Sequence, residues 1–344
     1  MERLKKLEMC ILRAAEIDLT IKFPSQLKDL TLIGCNNMEV MHEHILQLTG
    51  LLELHLIGCN KLHDLTAEFA EMRNLRKFRL ENCLSIRNLH RSIGQLASIR
   101  ELDFSGCTNI ATLPPEVGNV QTLLKLNLVL CKCLVRLPSE IGNLKNLTHL
   151  YLGQSGITSL PAEIGKLCSL EDLSLTGCVR LEKLPPQVGQ LTSLRRLNMG
   201  SCTGIKELPS EIGGMVSLQK LVLNSCTALA RLPDELFGLV NLQSLELDYM
   251  KLLAHLPAEI GNLRSLQRLS LNCCTRLNRL PPEIGSLPAL QVLNLVGCTG
   301  LKPELPMEIL KMQKENAVYV HREDDAVVLE GPNNPSYKLY SMTY

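Results

Sequence analysis

Apolar and polar positions along the chain return in a unit of 24 residues. Aligned on itself, the sequence reads LxxLxLxxCxxLxxLPxEIGxLxS in twelve copies, starting at Leu27, Leu51, Leu75, Ile99, Leu123, Leu147, Leu170, Leu194, Leu218, Leu242, Leu266 and Leu290. The first part of a copy has period two. In Leu170-Glu171-Asp172-Leu173-Ser174-Leu175, the last two leucines fall on one side, which predicts a short strand with Leu173 and Leu175 inward. The second part keeps Leu184, Val188 and Leu191 on one side. That spacing predicts a short helical or 3₁₀ turn, with Pro185 at its start, where no amide hydrogen is missed.

One copy alone cannot bury these leucines. Stacked copies bury them in one continuous core, so the predicted architecture is an α/β repeat: a curved, horseshoe-like solenoid with a parallel strand ladder on the concave face and short helical or 3₁₀ turns on the convex face. Nine copies carry Leu-Pro, from Leu113-Pro114 to Leu305-Pro306, and the first three have Met41-His42, Leu65-Thr66 and Leu89-His90 instead. Repeat six is one residue short at Leu152 to Ile157, and repeat twelve is one residue long near Lys302-Pro303. Both changes fall after the strand. The implied organisation is an N-terminal cap at 1–26 with a degenerate half-repeat (Leu4, Leu7), twelve repeats over 27–310, and a C-terminal cap and tail at 311–344. In that last segment Ala317–His321 and Ala326–Leu329 read as strands.

Composition fits this picture. Aromatic residues make up only 3% and Trp is absent; a core of stacked leucine layers needs few rings. Formal net charge is +1, from 36 basic and 35 acidic residues. That balance argues against a nucleic-acid partner, which usually calls for a basic excess. The N-terminus, Met1-Glu2-Arg3-Leu4-Lys5-Lys6-Leu7, lacks the apolar run of a signal peptide. No apolar stretch reaches the roughly 18 residues of a membrane span. The sequence therefore reads as a soluble, cytoplasmic (intracellular) protein with no membrane insertion.

Of fourteen cysteines, ten share one repeat position: Cys35, Cys59, Cys83, Cys107, Cys131, Cys178, Cys202, Cys226, Cys274 and Cys298. Ser155 and Met250 take the place in repeats six and ten. One thiol per 24 residues is not a secreted disulfide framework. It is a small, mostly apolar filler with a weak donor, facing inward after the strand, and a ladder of reduced thiols belongs in a reducing compartment. Cys131-x-Cys133 and Cys273-Cys274 offer too few ligands for a metal site.

Catalytic motifs are missing from the sequence. Gly165-Lys166 lacks the rest of a phosphate-binding loop, and HExxH and GxSxG do not occur. His149 and Cys168 sit at different repeat offsets, so they are not expected to act as base and nucleophile. Glu140 and Glu163 recur in the first turn of the helical part, where a carboxylate suits the positive end of the dipole. No enzyme activity and no cofactor are expected.

Cys after the strand, together with Leu-Pro-x-Glu-Ile-Gly, resembles plant intracellular leucine-rich repeats, over about residues 27–310. The likeness is to the repeat region of nucleotide-binding-type disease-resistance proteins, and secondly to the Ras-group-related repeat proteins. It implies a non-catalytic module for protein recognition. In the first case this would be the ligand-sensing or autoinhibitory part of a defence system; in the second, a general signalling scaffold. The nucleotide switch of full resistance proteins has no counterpart in this sequence.

The predicted outward column of the ladder runs Asp29, Glu53, Lys77, Glu101, Lys125, His149, Asp172, Arg196, Lys220, Ser244, Arg268, Val292. Glu53 to Lys125 alternate in sign and are placed to satisfy one another. Arg196 and Lys220 read as unpaired like-charged neighbours, which cost stability and invite a compensating partner. With Arg268, Glu246, Asp248 and Tyr249, they form the expected partner-binding patch.

Overall fold

The structure is a computed structural model that describes residues 9–13, 23–301, 305–314 and 319–321. One sheet of fourteen parallel strands runs in chain order. The strands are β1 (Met9–Arg13), β2 (Asp29–Ile33), β3 (Glu53–Ile57), β4 (Lys77–Glu81), β5 (Glu101–Asp103), β6 (Lys125–Asn127), β7 (His149–Tyr151), β8 (Asp172–Ser174), β9 (Arg196–Asn198), β10 (Lys220–Val222), β11 (Ser244–Glu246), β12 (Arg268–Ser270), β13 (Val292–Asn294) and β14 (Tyr319–His321). Strands β2 to β13 are the twelve copies. Strand β1 pairs with β2 in the register Met9↔Asp29, and β14 with β13 in the register Val292↔Tyr319. Leu4, Leu7, Ala317, Val318, the Lys302-Pro303 insertion and Ala326–Leu329 lie outside the described residues.

Burial follows the period-two reading. In β2 to β4 it alternates half-buried and buried along each strand, and Leu173 and Leu175 have no exposed surface. After each strand the chain crosses to a short turn. The first is an α-helix, α1 (Glu43–Leu46), and the last is α2 (Met307–Lys314). Between them the turns are 3₁₀, as in Pro186–Gln190, capped by Pro185 at φ −70°. In two of the three rows that lack Pro, His42 and His90 replace it. Each accepts a backbone N–H on Nδ1, from His44 at 3.3 Å and from Ser92 at 3.2 Å. The first three rows are thus variants of the same unit with longer strands. The core of rows two to four differs from plain leucine layers: Phe69, Phe78 and Phe104 are fully buried, with ring centroids 4.6 Å and 6.1 Å apart in sequence.

The repeated cysteines are buried, and among the described residues all are free thiols. Nine donate along the stack to the strand-end carbonyl of the preceding row, among them Cys107 to Leu80 at 2.8 Å, Cys178 to Leu152 at 3.1 Å and Cys298 to Leu271 at 2.9 Å. That carbonyl belongs to the last inward-facing residue of the row's ladder segment, within the longer early strands (Leu80 in β4) and one residue past the shorter later ones (Leu152 after β7). An unpaired buried acceptor costs about 1–3 kcal/mol, and the thiol removes that cost in little volume. On the convex side the glycine of Glu-Ile-Gly lets rows approach. A Cβ on Gly118 or Gly142 would clash with the backbone carbonyl of Glu140 or Glu163 in the next row.

Candidate functional site

The solvent-facing side of the ladder is a grid. Columns are the first, third and fifth strand positions, and adjacent rows lie about 4.8 Å apart. Over β3 to β6 the grid is internally paired. Lys77 Nζ lies 2.8 Å from Glu53, Arg79 Nη2 3.0 Å from Glu101, and Lys125 Nζ 3.4 Å from Glu101. The alternation read in the first column is real, and Arg79 joins it from the third. His55 Nε2 sits 3.6 Å from Glu53, too far for a hydrogen bond, and this nitrogen has no hydrogen-bond partner. Burial first, then Arg79, lowers the His55 pKa. His55 is therefore neutral at neutral pH, and its contact with Glu53 is not an ion pair.

Asp103, only 6% exposed, has no ion pair among the described residues. It accepts from Ser105 N and from Asn127 Nδ2, both at 2.9 Å. Asn127 and Asn198 turn their own Oδ1 to the backbone N–H two residues on, closing the strand exit.

The expected patch on β9 to β12 is present but differently wired. Arg196 binds Asp172 through Nη2 at 2.9 Å and Nε at 3.0 Å. Lys220 Nζ lies 2.6 Å from Glu246. The expectation that Arg196 and Lys220 stand unpaired is therefore wrong: each finds a carboxylate on a neighbouring strand, one along its column and one on the diagonal. Arg268 is exposed and has no ion pair among the described residues.

A polar network extends from Lys220. Asn224 Nδ2 donates to Glu246 at 3.3 Å, and Asn224 Oδ1 accepts Asp248 N at 2.8 Å. Ser270 Oγ and Asn272 N donate to Asp248 Oδ1 at 2.5 and 2.8 Å. Burial raises the Asp248 pKa, against the pull of these donors. At the rim, Tyr249 is 45% exposed with φ at +60°. This row position is left-handed in every repeat: it is glycine at Gly34, Gly58, Gly106, Gly177 and Gly297, and Asn82, Leu130, Gln154, Ser201, Ser225 and Cys273 hold it as Tyr249 does, at a cost in strain for each non-glycine residue. The structure thus brings Lys220, Glu246, Asp248 and Tyr249 together, with Arg196 and Arg268 on flanking strands. Sequence reasoning placed Asp172 beside Arg196 in the column but missed their pairing, and it missed Asn224, Ser270 and Asn272. Pairing each strand residue with its diagonal neighbours one row away, as well as with its column, would have found Arg79–Glu101 and Lys220–Glu246.

His149 and Cys168 are not brought together. His149 Nδ1 contacts Thr148 Oγ1 at 2.8 Å on the ladder face, and Cys168 donates to the Lys145 carbonyl beyond the turn. Among the described residues no three metal-ligating side chains cluster, and no helix is long and apolar enough to cross a membrane.

This ladder, core and repeat define a leucine-rich repeat solenoid. The model of the leucine-rich repeat region family matches residues 66–201, 147–252 and 186–278, more than half of the chain, which therefore belongs to that family. No curated protein sequence matches the chain at a significant level. A leucine-rich repeat protein of Leptospira interrogans is similar in structure, at 27% identity and a TM-score of 0.64, over 93% of this chain and 91% of that one. The Toll–Spätzle complex of Drosophila aligns at 20% identity and a TM-score of 0.73, over 93% of this chain and 45% of that one. An internalin of Listeria monocytogenes aligns at 18% identity and a TM-score of 0.53, over 84% and 87%. The last two likenesses concern the fold.

Proposed function

We propose that this chain is a non-catalytic recognition module that takes a protein partner on the concave face of β9 to β12. The observation that carries this reading is Tyr249, an aromatic left 45% exposed beside a polar network already satisfied within the chain. Such a patch is rigid before binding, so little ordering cost attaches to contact. Tyr and Arg are also the side chains that most often dominate interfaces, and Arg268 stands one strand from Tyr249's row. The pairing of Arg196 and Lys220 changes the partner chemistry this favours. The patch is close to neutral, so it suits an aromatic-accepting, polar-rimmed surface with one carboxylate for Arg268.

The Cys and Leu-Pro-x-Glu-Ile-Gly consensus supports a place in plant-type innate immunity, as the ligand-sensing or autoinhibitory repeat part of a disease-resistance system in the cytoplasm. The same consensus supports a second reading, a general intracellular scaffold of the Ras-group-related kind. A photo-crosslinking residue placed at Tyr249, and separately at Glu140 on the convex side, tests the site in extracts of the source tissue. The proposal expects discrete protein adducts from position 249 that are absent from position 140. Adducts from position 140 alone would overturn it. A partner carrying a nucleotide-binding switch domain favours the defence reading, and one belonging to a small-GTPase pathway favours the scaffold.

A further inference from the structure

The flank that follows each strand, between the repeated Cys and the Leu-Pro, carries a charge pattern that neither the ladder face nor the core explains. At one offset Arg136, Lys183, Arg231 and Arg279 recur in every second row from repeat five to repeat eleven, and all four are exposed. Arg180 and Arg276 stand three residues before two of them. With Lys132, Lys206 and Lys251, this stretch holds nine cations against two carboxylates, Glu182 and Glu207. None of the nine forms an ion pair among the described residues, whereas five of the ladder-face cations, Lys77, Arg79, Lys125, Arg196 and Lys220, do, leaving Arg268 as the exception on that face. The chain is nearly neutral overall because the convex turns carry the opposite sign, as in Glu140, Glu163, Glu211 and Glu235.

The flank is also a built surface. Adjacent rows bond to one another there, Thr158 N to Val135 O at 3.1 Å and Asn278 N to Ala254 O at 3.1 Å. His255 and Arg279 form a parallel bridge. Row spacing is thus held near that of the ladder, about 4.8 Å, which sets successive cations of the column about 10 Å apart over roughly 30 Å. That separation is about one Debye length at physiological salt. The cations repel one another weakly in solution, and a single extended anionic surface can still engage them together.

We propose that this flank of repeats five to eleven adsorbs electrostatically to an anionic lipid bilayer, leaving the concave face free. An extended surface fits better than a threaded polymer. The flank carries no aromatic side chain for bases to stack on, and no helix projects from it to enter a groove. Its exposed apolar residues are isolated aliphatics, Val135 and Val179, which a headgroup layer accommodates. The mode is peripheral, through basic residues that each add to attraction near an anionic leaflet.

The test is flotation of the full chain with phosphatidylserine-containing vesicles and with pure phosphatidylcholine vesicles, at low and high salt. Binding is expected to the anionic vesicles alone and to fall with salt. Arg136→Glu, Arg231→Glu and Arg279→Glu together should weaken it by at least about tenfold. The same charge change on the opposite flank, Arg76→Glu, Arg100→Glu and Arg264→Glu, should weaken it less. The Gln versions of the first triple, checked by thermal melting, separate loss of charge from loss of fold. Equal binding to both vesicle types, or equal loss in both triples, would overturn the proposal. Tighter binding to duplex DNA than to the anionic vesicles, or self-association at low salt without vesicle binding, would also overturn it.

Discussion

Arg196 reaches along its column to Asp172 on the adjacent strand, placing Nη2 2.9 Å and Nε 3.0 Å from a single carboxylate oxygen. Like charges next to each other in a sheet column do not by themselves mark an unsatisfied site, because each residue also faces the row on its other side. Arg196→Glu should therefore set two carboxylates face to face. The arginine side chain is more than half exposed, so the pair contributes about 0.2–1 kcal/mol. The melting temperature should fall slightly, and the swap Asp172→Arg with Arg196→Glu should recover most of the loss. A single variant as stable as the parent would show that the pair contributes nothing.

Thiol chemistry should follow position in the repeat. Burial pushes the Cys107 and Cys274 thiols up to about 12, and the thiolate is the reactive form; Cys59 is instead lowered to about 7 by its hydrogen bond with Cys83, and full burial keeps reagent from it. Cys133 and Cys168 are exposed and Cys273 is half-buried. A thiol reagent followed by mass spectrometry on the native chain should label Cys133 and Cys168 first and Cys273 later, leaving the repeated cysteines unmodified until the chain unfolds. Uniform labelling would contradict the inward ladder of thiols.

Two convex glycines at successive offsets of the turn provide a contrast, since Phe237 takes the Glu-Ile-Gly glycine position in repeat nine and Gly238 follows it. Gly142→Ala drives a methyl into the Glu163 carbonyl of the next row, whereas a Cβ on Gly238 meets nothing within 4 Å. Overpacking of this kind costs about 1–3 kcal/mol. Chemical denaturation should show that loss for Gly142→Ala and little or none for Gly238→Ala. Equal effects would mean that the row spacing adapts.

Asp248 gives a pH signature. Its folded pKa is raised by burial above the ordinary value of 3.8. A raised acid favours folding below its unfolded pKa, where it is protonated in both states, and loses that contribution as pH rises through the folded pKa. Its ionised form sits in a partly desolvated place. Asp248→Asn keeps an acceptor for Ser270 and Asn272 and carries no charge. It should be at least as stable as the parent at neutral pH, with any advantage shrinking as pH falls toward the carboxylate range. Melting curves across that range that show a loss at neutral pH would mean that the charge is used.

The fold was legible because one 24-residue unit carries its own alternation, turn and cap, so Leu173, Val188 and Pro185 could each be placed from spacing alone. The grid was half legible. Column neighbours such as Glu53 and Lys77 follow from the repeat period, while Lys220–Glu246 and Arg79–Glu101 cross columns and depend on side-chain reach. The role of the thiols was only partly readable. Periodicity places Cys107 inward, but the Leu80 carbonyl it satisfies becomes visible only when one row is stacked on the next. The phenylalanines of rows two to four were hidden for a similar reason. Phe69, Phe78 and Phe104 come from different parts of their repeats, and only stacking makes them neighbours.

The recognition surface itself is tested most directly by titrating a partner identified through the position-249 adducts against purified variants. Tyr249→Ala and Arg268→Ala should each weaken binding by about tenfold or more, as truncation of interface anchors does. Lys77→Ala on the N-terminal half of the same face should change it little. Unchanged affinity for Tyr249→Ala and Arg268→Ala, with loss for Lys77→Ala, would place the surface on β3 to β6 and contradict the assignment to β9 to β12.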